Sequence, residues 1–190
     1  MILEGLVTTT AADGRLHLAP MGPTVDAGMT HLLLRPFPSS TTFQNLVRHG
    51  EGVFHVTDDA LLIAKACLGQ AGEPPSRPAE RVKGYLLSES CRAYEFVVRS
   101  IDTTRERMHV AVDVVATHAL REFVGFHRAK HAVVEAAIVA TRFGMLPAAD
   151  VEGEFERCRV IVAKTGGPAE REAMAFLDAA WAEHRGVPCE

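Results

Sequence analysis

The four cysteines, Cys67, Cys91, Cys158 and Cys189, stand far apart and form no CxxC pair. That spacing excludes a zinc ribbon and a disulfide framework, and it fits the reduced thiols of a cytoplasmic protein. No apolar run reaches the roughly 20 residues of a membrane span. The first residues lack a basic start and a signal-type apolar stretch, so no secretion signal is expected. Lys and Arg number 20 against 24 Asp and Glu, a net charge of -4 with the signs interspersed. A general nucleic-acid surface needs a basic face, so that class is set aside. There is no GxGxxG fingerprint, and hence no Rossmann dinucleotide site. No solenoid repeat is visible. Ser88-Glu-Ser90 and the nine histidines have no triad-like context. What remains is a chain of 190 residues, 47% hydrophobic and 23% charged, enough for one domain, or one domain with a helical appendage, around a sizeable core.

The most informative stretch is Arg35-Pro-Phe-Pro-Ser-Ser-Thr-Thr-Phe-Gln-Asn-Leu46. An apolar strand, Thr30 to Leu34, precedes it, and its second half reads as a short helix. A guanidinium and four hydroxyls, on Ser39, Ser40, Thr41 and Thr42, therefore gather at a strand-to-helix junction. Prolines stiffen the turn. A helix start with hydroxyls and an arginine fork suits a phosphate monoester. The plainer alternative is a hydroxyl N-cap on a surface helix with Arg35 solvated.

Along the chain, residues 2–9, 15–20, 30–34, 52–57, 91–101 and 107–117 read as six strands. Asp13-Gly14 is a hairpin signal, and Met108 to Val115 alternate as a half-buried strand does. Asp58 or Asp59 caps a helix running to about Leu68, and 70–79 reads as a loop rich in proline and glycine. After about Phe123, residues 128–143, 150–165 and 168–185 read as three helices, with Pro168 and Gly186 as punctuation. The expected fold is α+β: a six-stranded antiparallel barrel over 1–124 and a three-helix subdomain over 125–190.

Three pieces occur in order: Leu18-Ala-Pro-Met-Gly22, Arg35 to Leu46, and Gly52-Val-Phe-His-Val-Thr-Asp58. This order resembles the FMN-binding split-barrel superfamily of flavin reductases and pyridoxamine-phosphate-oxidase-like proteins. Within it the chain is most similar to the prokaryotic domain of unknown function 447 family, which the helix His127-Arg-Ala-Lys-His131-Ala-Val-Val-Glu135 also resembles. The resemblance implies a Greek-key split barrel, a homodimer, and FMN at the dimer interface. It implies that Arg35, Ser40, Thr41 and Thr42 hold the phosphate and that Asn45 fixes the loop or touches the ribityl chain. Pro20, Met21 and Gly22 would line the isoalloxazine, with Thr57 and Asp58 near its polar edge. One departure stands out: the fourth strand ends His55-Val-Thr57 where the resemblance calls for an Asn. The implied activity is that of an oxidoreductase taking electrons from a small molecule or a reduced nicotinamide. Flavin chemistry asks the protein to hold the ring and tune its charge, and needs no nucleophile–base pair.

Two other functions compete. A non-catalytic FMN carrier or sensor would use the same residues. His127 and His131, four apart on a helix, have metal-ligand spacing, with Glu135 as a third group, although no Glu follows His127. Finally, Arg128, His131, Glu135 and Arg142 share one stripe of an otherwise apolar helix. Either they pair internally, chiefly His131 with Glu135, or Arg128, Lys130 and His131 form an anion site for FMN or an acidic substrate.

Overall fold

The computed structural model describes residues 1–186. The chain divides into two compact units, one of Met1–Thr57 and Gly72–Phe123, the other of Asp58–Ala71 and Val124 onward. This differs from a single cut near residue 124 in one segment, 58–71, which groups with the later helices.

The first unit is built on an antiparallel sheet. Strands β1 (Gly5–Thr10) and β2 (Leu16–Met21) form a hairpin. Its turn is fixed by Gly14 at φ 86° and by Asp13, whose carboxylate accepts from the Arg15 backbone N–H at 3.1 Å. Then come β3 (Thr24–Val25), β4 (His31–Leu34), β5 (Glu51–Val56), β6 (Ser76–Pro78), β7 (Tyr85–Leu87), β8 (Arg92–Asp102) and β9 (His109–Ala119). Seven of them form one sheet in the order β2-β1-β5-β8-β9-β4-β3, and β6 pairs with β7.

This sheet has to curl. Laid flat, its outer strands would stand about 29 Å apart at the usual strand spacing. Yet those outer strands, β2 and β3, are consecutive in the chain, and the steps from Met21 to Thr24 reach at most about 11 Å. The lead-in to β1 ties the far edge down: Leu3 N donates to Pro23 O at 3.1 Å and Val25 N to Met1 O at 2.8 Å. Register shifts at Glu95/Phe96 and Val98/Ser100 in β8 bend the two longest strands. Leu6, Val7, Leu34, Phe54, Phe96 and Val110 are fully buried in this unit.

The six-strand expectation is thus corrected to seven in the main sheet plus a two-stranded ribbon. β3 has two residues, too few to show alternation. β6 lies inside the stretch read as loop and ends at Pro78, which an edge strand tolerates.

Helix α1 (Thr41–His49) follows β4 and buries Thr42, Asn45 and Leu46. Among the described residues the second unit holds four helices rather than three: α2 (Ala60–Cys67), α3 (Arg128–Ala140), α4 (Ala148–Thr165) and α5 (Pro168–His184). α2 packs on α3 and α5, because Ala60 and Ala64, which join their core, are small and apolar enough for close approach. Val133, Val151, Phe155, Met174, Leu177 and Trp181 fill this second core. The Arg159 guanidinium joins α4 to α5, reaching Glu152 at 2.9 Å and Asp178 at 3.0 Å. No helix among the described residues is long and apolar enough to cross a membrane.

Candidate functional site

A cleft of about 270 Å³ opens in the first unit, lined by Pro20, Met21, Gly22, Arg35 and Arg107. Strand pairing brings these residues together. β4 pairs with β9 so that Leu34 faces Val110. Two residues further along the same register, Met108 N donates to Pro36 O at 3.0 Å. That bond carries Arg107 alongside the segment after Arg35, where its guanidinium lies 4.0 Å above the Phe37 ring. Arg107 belongs to none of the three sequence motifs. Its position follows from register, which neither motif order nor spacing discloses. At Gly22 a Cβ would lie 2.8 Å from the Glu4 carboxylate, the end of a flexible side chain that would have to move aside, and the glycine itself leaves the backbone bare.

The other residues singled out above are placed as follows. Ser40 is the N-cap of α1: its hydroxyl donates to Phe37 O at 2.7 Å and accepts from Phe43 N at 3.2 Å. Thr41 is exposed at the first helical position. Thr42 is buried, its hydroxyl 3.2 Å from His17 Nε2. Burial pushes the His17 pKa below its ordinary value, which favours the neutral ring. Asn45, also buried, donates to Thr9 Oγ1 at 3.0 Å and accepts from Arg48 at 2.9 Å, fastening α1 to β1. The cleft therefore groups Arg35 with the Pro20–Gly22 turn and with Arg107. Ser40, Thr42 and Asn45 have protein partners of their own.

Thr57 is buried at the end of the β5 segment. His55, in β5 itself, is fully buried, and its Nε2 accepts from Leu87 N at 3.1 Å. Burial lowers its pKa to about 4, so the ring is neutral and serves as a fixed acceptor. Nearby in the sheet, Glu95 is fully buried. Burial alone would raise its pKa, but the backbone N–H groups of Glu80, Arg81 and Val82, together with His118, hold it below the ordinary carboxylate range.

In the helical unit, Asp58 is buried and its carboxylate accepts from Val124 N at 3.3 Å. Lys130 Nζ donates to Asp58 O at 2.7 Å and lies 3.7 Å from the Asp58 carboxylate and 3.8 Å from Glu170. Lys130 is thus held between two acids. Arg128 and His131 are exposed, and the His131 ring stands edge-on to Phe126 at 6.3 Å. Of the three residues Arg128, Lys130 and His131, Lys130 is thus engaged by acids and the other two face solvent. His127 caps α3, its Nδ1 accepting from Lys130 N at 3.3 Å. Among the described residues no three His, Cys, Asp or Glu side chains gather as metal ligands.

The chain matches two family models, the N-terminal domain of a protein of unknown function, DUF447, over residues 3–121, and a second DUF447 region over residues 127–178. The chain belongs to the DUF447 family. Among solved structures, this DUF447 chain is similar to an FMN-bound DUF447 protein of Methanosarcina mazei, with 20% identity, 94% of each chain covered and a TM-score of 0.80. It is also similar over part of its length to the 2-nitrobenzoate 2-nitroreductase of Pseudomonas fluorescens, at 15% identity, TM-score 0.54, covering 61% of this chain and 64% of that one. Flavoredoxin of Methanosarcina acetivorans gives 13% identity and TM-score 0.54, covering 62% of this chain and 68% of that one. At such identities these likenesses speak for the fold. No curated protein matches the chain in sequence.

Proposed function

We propose that this protein binds FMN in the cleft of its curled sheet and acts as an FMN-dependent oxidoreductase in the form of a homodimer. One observation carries the reading: Pro20, Met21, Gly22 and Arg35, singled out by motif order, line a single cleft. The sheet around them has the fold of an FMN-bound member of the same family. The donor set fits the cofactor. Arg35 offers a charge-assisted fork to a phosphate, and Gly22 lets a flat ring lie against backbone. We read the sheet as a split barrel of the flavin-reductase type.

Bound FMN supplies reversible two-electron transfer. In this reading Arg35 anchors the phosphate, the Pro20–Gly22 turn orients the ring, and Asn45 keeps the start of α1 in place through Thr9. A cleft of about 270 Å³ falls just below the usual range of ligand sites, about 300–1,000 Å³. A second copy of the chain would supply the missing wall and exclude water. The wide spacing of the four cysteines suits a reducing cytoplasm; Cys189 lies outside the described residues.

The test is the visible spectrum of the purified protein, with mass spectrometry of whatever is released on denaturation. A flavin spectrum with FMN as the released species is expected; a colourless protein that takes up no FMN overturns the reading. Turnover with a reduced nicotinamide and an acceptor then separates an oxidoreductase from a carrier or sensor.

A further inference from the structure

We infer that Arg107 is a second phosphate-binding residue, closing with Arg35 around the FMN phosphate, and that Phe37 positions it. The inference rests on the FMN reading above and adds a residue that motif order does not reveal. Arg35 leaves the end of β4 and Arg107 precedes β9, so the two guanidinium groups come from different elements onto one cleft. The Met108 N to Pro36 O bond locks those segments together. The ring of Phe37, 4.0 Å beneath the Arg107 guanidinium, restricts the side chain. An arginine stacked on an aromatic face keeps its N–H edge available, so it can still grip an anion in its plane.

Charge supports the pairing. A phosphate monoester carries nearly two negative charges at neutral pH, and Arg35 alone would leave one of them unmatched in the cleft. The hydroxyl of Ser40 already donates to Phe37 O, and that of Thr42 is buried against His17. The exposed Thr41 hydroxyl can add a hydrogen bond but no charge, so the second positive charge has to come from another side chain, and Arg107 is a cation at the cleft that can supply it. Glu4's carboxylate abuts Gly22, which assigns the phosphate to the two arginines and the neutral ring to the Gly22 side.

The experiment measures FMN and riboflavin affinity, by quenching of flavin fluorescence, for the full-length protein and for Arg107→Ala, Arg107→Lys and Phe37→Leu. Arg107→Ala should weaken FMN by roughly 10- to 100-fold, the range of a charged hydrogen bond, while riboflavin changes little. Arg107→Lys should recover part of the loss, since it restores the charge without the fork. Phe37→Leu should weaken FMN by roughly 2- to 5-fold, the scale of an exposed cation–π contact. If the parent protein prefers FMN over riboflavin and Arg107→Ala keeps that preference, the inference fails while the FMN reading stands. A parallel loss of both flavins overturns it too, since that marks general damage. If the parent protein binds both flavins equally, the FMN reading itself fails and takes this inference with it.

Discussion

At the scale of single residues, His55 makes a clear statement about acid stability. Burial holds its folded pKa at about 4 against an ordinary 6.5. Between those values an unfolded chain binds a proton that the fold refuses. Stability is therefore complete above about pH 6.5 and declines as the pH falls toward 4, by up to about 3 kcal/mol. Denaturant titrations at several pH values should show this decline, and His55→Gln should flatten it. An unchanged pH dependence in that variant would mean that other groups cause it. Legibility also differed residue by residue. Arg35 and the Pro20–Gly22 turn carried signals in local chemistry, a guanidinium in a proline-stiffened turn and a side-chain-free backbone, and they lie on the cleft. Arg107 carried none, because its neighbours are set by the β4–β9 register. Ser40 is the N-cap of the plainer reading of its motif, and a hydroxyl at a helix start caps the helix whether or not a ligand is near.

Among elements, the sequence of α3 shows one polar stripe on an otherwise apolar helix. In the structure the buried face is Ala129, Ala132, Val133, Ala136, Ala137 and Ala140, and Arg128, His131 and Glu135 are exposed. Alanine's small side chain lets α2, α4 and α5 pack closely on that face. Lys130, off the stripe, is where the charge matters. Its side chain is 22% exposed and sits between Asp58 and Glu170, at 3% and 9%. Lys130→Ala would take one cation away from two nearly buried acids. It should destabilise the protein by roughly 2–3 kcal/mol in denaturant unfolding and leave FMN affinity unchanged. A loss of FMN binding with unchanged stability would instead support an anion site there. α2 could be read as a helix from its Asp59 cap and apolar run. Its grouping with the late helices is a long-range fact that local sequence does not carry. The same holds for β3, whose two residues gain strand character only from pairing with β4.

For the molecule as a whole, the α+β character and the antiparallel sheet were visible in alternating strands and hairpin signals, whereas the strand count and the curling were settled by where the chain returns. The proposed dimer is a claim at this scale. An obligate interface shielding a flavin should bury more than roughly 2,000 Å², so sedimentation at micromolar concentration should give twice the monomer mass, with flavin absorbance travelling with it. A flavin-loaded monomer would contradict the shared site. The most direct test of the central claim compares FMN with riboflavin, which differ only in the phosphate. The account predicts far tighter binding of FMN and a loss of roughly 2–4 kcal/mol of that affinity in Arg35→Ala. Equal affinity for the two flavins, or an Arg35→Ala variant that still favours FMN as strongly, would contradict it.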